Sequence, residues 1–410
     1  MRDALNNPFS PGSDTVPAVW AGRTQELSDW KDVVRPRRLA GLPERGRTIL
    51  GEPGLGKSSL VRLIAQNATA LGDWVTPQLR IPAGTDPLKP VADAVLTLAD
   101  QAGLPSAREQ RIAKSLRRVQ AVAVSGVSLT LNKQPGPEPY EALRDLLVEV
   151  GRAGIRQGKV ALVHIDEVQN ITDQGALSQL LIALGDALTY EELVSLPDGT
   201  KVTRSLPLAV YLTGLPDFES RAGASRGATF ARRFRTTTLA GLSDLEIRAA
   251  LQPFVIEGWE VANGDGGTSV ISMEQAAAEL IVELCKGDPF LFQLAGERAW
   301  YAGSGGVITS DEVRAGWRTA ESEATAHVER ILARLPEREL EFLQAMAQLQ
   351  PEERTLTSIA ALLGLTSSAT AGPAAQRLDT VRGLIERGKP YRFSHRAVEA
   401  YLTSEWPRID

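Results

Sequence analysis

The sequence predicts a parallel α/β core followed by helical segments, and three observations lead there. Apolar runs at 47–50, 74–81, 159–167 and 206–214 alternate with amphipathic helical stretches, as in sheets whose strands are joined by crossover helices. One of these runs ends in two acids, Asp166-Glu167, and another in Thr213-Gly214. Polar residues at the end of a buried strand are expected where parallel sheets place their ligands. The alternation stops near Gly241, and helical periodicity dominates from there on.

Bulk properties narrow the class. The chain has 410 residues, enough for two or three domains. Hydrophobic residues make up 43% and charged residues 23%, an ordinary globular balance. A net charge of −5 gives no global attraction to nucleic acid, so any such contact must be a local patch. Cys285 is the single cysteine, which excludes an internal disulfide and a cysteine-built zinc site and suits a reducing cytoplasm. His164, His327 and His395 are scattered, which argues against a histidine-rich metal centre. No apolar run reaches the roughly 20 residues of a membrane span, and the polar N-terminus lacks a signal-peptide pattern. A cytoplasmic protein with no membrane partner is expected.

Residues 1–20 hold Asn6, Asn7, Pro8, Pro11, Gly12 and Pro17 and read as extended chain. Val19-Trp20-Ala21-Gly22-Arg23-Thr24-Gln25-Glu26-Leu27 leads into a helix through about Val34. After the short strand 47–50 comes Gly51-Glu52-Pro53-Gly54-Leu55-Gly56-Lys57-Ser58-Ser59, and Leu60 opens a helical stretch. This is the G-x-x-x-x-G-K-[ST] phosphate-binding loop in its strand–loop–helix context. Its glycines let backbone N–H groups face phosphate oxygens, and the helix N-terminus adds partial positive charge. Lys57 is placed to reach the β- and γ-phosphates, and the Ser58 hydroxyl to sit on Mg²⁺. The core is therefore expected to be a P-loop NTPase, with ATP and Mg²⁺ as cofactors.

Residues 74–81 read as a second strand and 88–102 as a helix with Val91, Ala94, Val95 and Leu98 on one side. An insert over about 106–137 follows. It pairs a basic helix (Arg108, Arg111, Lys114, Arg117, Arg118) with an alternating segment, Val122 to Leu131, that reads as a β-hairpin. A solvated helix with a packed hairpin fits, as does a contact for nucleic acid or a neighbouring subunit. Residues 140–156 and 176–189 read as helices, Asp198-Gly199 as a turn, and arginines cluster at Arg221, Arg226, Arg232, Arg233 and Arg235. Past Gly241, helices are expected over 243–256, 273–286, 289–304 and 310–333, with Pro289 at a helix start after Gly287-Asp288.

From Glu337 on, the order is helix (337–348), helix (357–364), helix from Pro373, then strand, turn and strand over 383–394, the order of a winged helix-turn-helix. Between Gln376 and Arg396 lie Arg377, Arg382, Arg387, Lys389, Arg392 and Arg396 against Asp379 and Glu386. That local excess of bases suits phosphate contacts with duplex DNA, through Arg377, Arg382, Arg387, Lys389 and Arg392. A module that only relays the state of the preceding helices fits equally.

Taken in order, these motifs resemble those of AAA+/STAND P-loop ATPases of the initiator-like (origin-recognition-like) or archaeal-ATPase-like clade, over about residues 15–404. The resemblance implies an extended N-terminal segment (1–20), an ATPase core (21–240), an all-helical lid (241–334) and a C-terminal winged helix (335–410). It implies that the segment around Gly22-Arg23 packs over adenine and that the strand ending in Asp166-Glu167 is the Walker B element. Asp166 would then hold Mg²⁺, mostly through water, and Glu167 would orient or deprotonate the attacking water. Thr213 takes the sensor 1 position. Arg232 or Arg233 takes that of an arginine finger acting in trans on a neighbour's nucleotide within a homo-oligomer. Gly287-Asp288-Pro289 resembles the G-x-P motif through which the lid closes on nucleotide, with Pro289 among the nucleotide-binding residues. A sensor 2 arginine is not evident: Gln293 stands within this helix and Arg298 lies later. The implied activity is slow Mg²⁺-dependent ATP hydrolysis whose ATP/ADP state controls assembly and DNA engagement. The alternative is a signalling or defence ATPase that relays its state to a separate effector protein.

Overall fold

The computed structural model describes residues 2–12, 15–104, 139–195, 197–218, 232–262 and 267–409. The expected basic helix and hairpin of the 106–137 insert, and Arg221 and Arg226, lie outside the described residues. The chain forms two compact units: Arg23–Leu50 with Leu60–Thr237, and Met1–Gly22 with Gly51–Ser59 and Thr238–Asp410.

The first unit holds the sheet. Its strands are β1 (Gly46–Leu50), β2 (Trp74–Val75), β3 (Leu79–Arg80), β4 (Ala161–Asp166), β7 (Leu208–Gly214) and β8 (Phe234–Thr238). The order is β2-β4-β7-β1-β8, with β3 also pairing β4. The pairings β1–β7, β2–β4, β3–β4 and β4–β7 are all parallel. Every residue of β1, β4 and β7 is buried. Burial of both faces explains why β4 and β7 are mainly apolar rather than alternating, whereas β1 buries Arg47 against Asp29 and Glu44. The helices α3 (Lys57–Ala70), α4 (Leu88–Gln101), α5 (Pro139–Gln157) and α6 (Gln174–Leu188) follow the expected spans. Leu98, Leu143, Leu146, Leu180 and Leu184 pack with Val163, Ile165, Val210 and Leu212 in one core. Before β1, a helical run is built from α1 (Thr24–Ser28), a π-wound turn (Asp29–Val34) and α2 (Arg35–Leu39). It outlasts the expected end at Val34, and Pro36, lacking an N–H, stands in the first turn of α2.

Two departures from the expected strands appear in this unit. The run 74–81 is not one strand. Val75 pairs Leu162 and Leu79 pairs Ile165, so Thr76-Pro77-Gln78 lie opposite only Val163 and His164. Pro77 has no ladder donor, and the extra residue makes a bulge. Around the Asp198-Gly199 turn, β5 (Glu191–Ser195) and β6 (Lys201–Ser205) form an antiparallel hairpin. Its charged, non-apolar character hid it from a reading based on buried strands.

In the second unit, α7 (Asp244–Ile256) opens with a capping box in which the Ser243 hydroxyl accepts from Glu246 N and the Glu246 carboxylate from Ser243 N. Then come α8 (Gln275–Cys285), α9 (Pro289–Tyr301) and α10 (Ser310–Leu332), close to expectation. The expected all-helical lid needs correction. A three-stranded sheet accompanies these helices, with β9 (Trp259–Ala262) antiparallel to β10 (Thr268–Met273) and β11 (Val307–Ile308) parallel to it. Between β9 and β10 the sequence reads Asn263-Gly264-Asp265-Gly266-Gly267, a composition that signals a hairpin but is overshadowed by the neighbouring helical periodicity. The C-terminal part runs α11 (Glu337–Ala347), α12 (Leu356–Leu362), α13 (Gly372–Thr380), the antiparallel pair β12 (Ile385–Glu386) and β13 (Arg392–Phe393), and a closing α14 (Arg396–Thr403). The N-terminal residues carry no helix or strand, yet they are anchored. Arg2 donates to Ala299 O, Gly305 O and the Glu312 carboxylate, and Trp300 Nε1 donates to Asp3 O.

Candidate nucleotide site

The phosphate-loop residues Gly51–Ser59 belong to the second unit. Gly54 (φ 88°) and Gly56 (φ 78°) are left-handed, conformations that side chains with a Cβ rarely adopt. A Cβ at Gly56 would meet nothing within 4 Å, so the loop leaves open space there. A Cβ at Gly54 would collide with the His327 ring and stand 3.2 Å from Phe290 Cβ. Lys57 Nζ donates to Gly51 O at 2.8 Å and to Glu52 O at 3.0 Å, so the ammonium is folded over its own loop. Glu52 and Leu55 are buried; Pro53, Ser58 and Ser59 are half-exposed.

Asp288, Pro289 and two histidines make a compact cluster in the same unit. Asp288 caps α9, its Oδ1 accepting from Leu291 N at 3.0 Å, with Pro289 at the first helical position. Its other oxygen lies 2.9 Å from His327 Nε2, on α10, and 3.7 Å from His395 Nε2, just before α14. Burial would push the Asp288 carboxyl up, but the facing His327 and His395 hold it below its ordinary value. Burial pushes the His395 imidazole down, against the pull of Asp288. The His327 ring also lies 4.6 Å from that of Phe290. Sequence reasoning treated the three histidines as scattered; two of them converge on one carboxylate 39 and 107 residues away. No local pattern announces such a pairing. Gln293 does not face a phosphate: its Oε1 accepts from Ser10 N at 3.1 Å and its Nε2 donates to Val19 O at 2.9 Å.

The acid pair lies in the sheet unit. Asp166 ends β4 and is buried, while Glu167 is exposed and left-handed at φ 54°. Thr213 Oγ1, at the end of β7, donates to Asp166 Oδ1, and Glu167 N donates to the same oxygen at 2.9 Å. Gln78 Nε2 donates to Asp166 Oδ2 at 2.7 Å, a partner the sequence gave no reason to single out. Asn170 Nδ2 donates to Glu167 Oε2 and to Ile81 O, both at 3.2 Å. Burial pushes the neighbouring His164 imidazole down to about 4. Arg233 pairs with Asp186 and packs over Gly185, whereas Arg232 is exposed.

The donor set suits a hard cation with few protein ligands. Among the described residues no three or more His, Cys, Asp or Glu side chains gather as a metal cage. In the sheet unit the buried Asp166 offers carboxylate oxygens, the hard donors that Mg²⁺ takes beside its waters and phosphate oxygens.

In the C-terminal part, three of the five candidate DNA residues have internal partners. Arg377 Nε donates to Oε1 of the buried Glu339 at 2.5 Å and Arg382 Nε to its Oε2 at 3.2 Å. Arg387 pairs with Asp379 at 2.7 Å, while Lys389 and Arg392 are exposed.

No protein-family profile matches the chain, and no curated protein matches it by sequence. Solved structures do. A Walker-type ATPase of Pyrococcus abyssi is 16% identical over 93% of this chain and 96% of its own, with a TM-score of 0.53. The ORC2 protein of Aeropyrum pernix, solved in ADPNP and ADP complexes, is 15% identical over 97% and 95%, with a TM-score of 0.52. At these identities the likeness establishes the fold alone: the chain shares the fold of these two proteins across nearly its whole length.

Proposed function

We propose that this protein binds ATP with Mg²⁺, hydrolyses it slowly, and uses the nucleotide state to set the conformation of its C-terminal half. One observation carries this reading: the phosphate loop belongs to the same compact unit as α9, α10 and the C-terminal module, with Gly54 against His327 and Phe290. A phosphate on that loop would bear directly on the helices behind it.

The roles follow from the chemistry of the side chains. Backbone N–H groups of 51–59 and the Lys57 ammonium bind phosphate oxygens, which requires Lys57 to leave the Gly51 and Glu52 carbonyls. Ser58 and Asp166 would hold Mg²⁺, whose charge would offset that of the phosphoryl oxygens when bound. Thr213 fixes Asp166, and Glu167 orients the attacking water and takes its proton. Arg232, being exposed, is the better choice for a finger acting in trans; Arg233 is tied to Asp186. Loss of the γ-phosphate removes contacts from the loop and releases the state they favoured. The segment 21–240 would be the ATPase core, 241–334 the lid and 335–410 a winged helix, and the site of action cytoplasmic; among the described residues no helix is long and apolar enough to cross a membrane. Calorimetric ADP binding with Mg²⁺ and phosphate release test this. Lys57→Ala should lose nucleotide, and Glu167→Gln should retain it and turn over poorly. Equal turnover by Glu167→Gln and the parent would refute the assignment of Glu167.

For the output, duplex DNA is one reading and a separate effector protein the other. The internal pairing of Arg377, Arg382 and Arg387 favours the relay, since phosphates capturing both Arg377 and Arg382 would strand the buried Glu339. A DNA contact would then rest on Lys389 and Arg392. Fluorescence anisotropy with duplex DNA separates the two: salt-dependent affinity lost in Lys389→Glu/Arg392→Glu supports DNA engagement, and no affinity with or without ATP supports the relay.

A further inference from the structure

Asp166 ends a strand where only its neighbours decide how its carboxylate is aimed. Oδ1 is taken by the Thr213 hydroxyl and the Glu167 N–H. Oδ2 receives Gln78 Nε2 at 2.7 Å. Gln78 is itself held: its Oε1 accepts from Arg62 Nε at 3.2 Å and from a second Arg62 nitrogen. Turning the amide over would set its NH₂ against a guanidinium and its oxygen against a carboxylate. The orientation is therefore fixed by charge on both sides. Arg62 comes from α3, Gln78 from the bulge between β2 and β3, and Asp166 from β4. The bulge matters because an extra residue between paired positions is what re-aims a side chain in a ladder.

We infer that Gln78 is a positioning residue for Mg²⁺, transmitting the Arg62 charge to Asp166 through a neutral amide and holding Oδ2 in the direction the metal's water shell needs. This rests on the nucleotide reading above. An amide donor polarised by Arg62 orients the carboxylate while leaving it a net acceptor. Arg80 approaches the same oxygen at 3.7 Å with its side chain half in solvent, a looser contact than the Gln78 bond. Partners behind a ligand that orient it commonly govern affinity as strongly as the ligand's own chemistry.

The test measures ADP binding by calorimetry across a Mg²⁺ series, with excess EDTA as the metal-free reference. Gln78→Leu should leave metal-free ADP affinity within about twofold of wild type and raise the half-saturating Mg²⁺ concentration about tenfold or more. Arg62→Leu should shift it in the same direction, and Arg62→Lys, which keeps the charge, should restore most of the response. Gln78→Met is the second variant if Gln78→Leu does not fold. Wild-type Mg²⁺ response in the Gln78 variants would overturn the inference while leaving the nucleotide reading intact. Equal loss of metal-free and metal-bound ADP affinity would also overturn it, since that marks a structural role. Wild-type protein whose ADP affinity ignores Mg²⁺ would overturn the role of Asp166 and the inference with it.

Discussion

Removing one aromatic ring from the N-terminal segment should free that segment while leaving the helices beneath it folded. Phe9 is 3% exposed, stacks on Phe254 at 5.7 Å and meets Phe292 edge-on at 6.0 Å. It fills space that exists because residue 296 is glycine: a Cβ there would collide with the Phe9 ring. Truncating a buried Phe to Ala costs about 3 kcal/mol at the low end of its range, the figure suited to a segment at a unit's periphery. The remaining ties are the buried Val19 and polar contacts: Ser10 N to Gln293, Trp300 to Asp3 O, and the buried Arg2. At about 1.4 kcal/mol per tenfold, local opening should become about a hundredfold more frequent in Phe9→Ala. Hydrogen exchange read by mass spectrometry on peptides spanning residues 2–22 measures this, with peptides of α9 and α10 as the internal reference. A complementary variant sharpens the test. Gly296→Ala should raise helix propensity by about 1 kcal/mol on its own, yet it should speed exchange of residues 2–22 by displacing Phe9. Unchanged exchange in that segment in both variants would refute the packing argument.

Three further outcomes are expected. Gly54→Ala places a side chain at φ 88° and against His327, so ADP affinity should fall by about tenfold or more while the melting temperature changes little, reflecting a strain of order 1–3 kcal/mol; ADP titration followed by calorimetry decides it. Thr213→Val removes the hydroxyl donor to Asp166 and should lower turnover by about tenfold with ADP binding retained, the loss of one hydrogen bond to a charged group; steady-state phosphate release checks it. The last concerns pH. Burial holds the His395 imidazole below its ordinary value, so as pH falls below about 6.5 the unfolded chain takes a proton that the folded chain does not. Stability is full above that pH and declines below it, and the depressed Asp288 carboxyl adds a loss in the same direction at lower pH. Urea midpoints between pH 7.5 and pH 5 should fall in the parent, through the buried His164 and His395 together, and should fall less steeply in His395→Asn, where only His164 remains.

The elements that sequence reasoning found share one property: their signal is local. The Gly51–Ser59 loop, the apolar β4 with its terminal acids and the Pro289 helix start are each written within a few residues. What escaped depends on distant partners or on modest alternation. β9 and β10 are short and border strongly periodic helices, so their pattern was outvoted. The bulge at Thr76-Pro77-Gln78 shows only in the pairing with β4, and Pro77, which lacks a ladder donor, is its one local sign. The Asp288–His327–His395 cluster and the Arg62–Gln78–Asp166 chain join residues from separate elements. Likewise the run of bases after Gln376 reads as one cationic surface until Glu339, on α11, is seen to hold two of them.

The β5–β6 hairpin has a consequence of its own. Its strands pair with each other and, among the described residues, with no other strand. Leu193 is largely exposed, and apart from the buried Ser205 the strands alternate between exposed and half-exposed positions, so no buried apolar face pins their alignment. An isolated ribbon of this kind invites strand addition from another polypeptide along its open backbone. Glu191, Glu192, Lys201 and Arg204 stud it with both signs of charge, the usual deterrent to such joining. Neutralising those four positions should therefore turn a well-behaved ribbon into a seed for self-association, with no change at the phosphate loop.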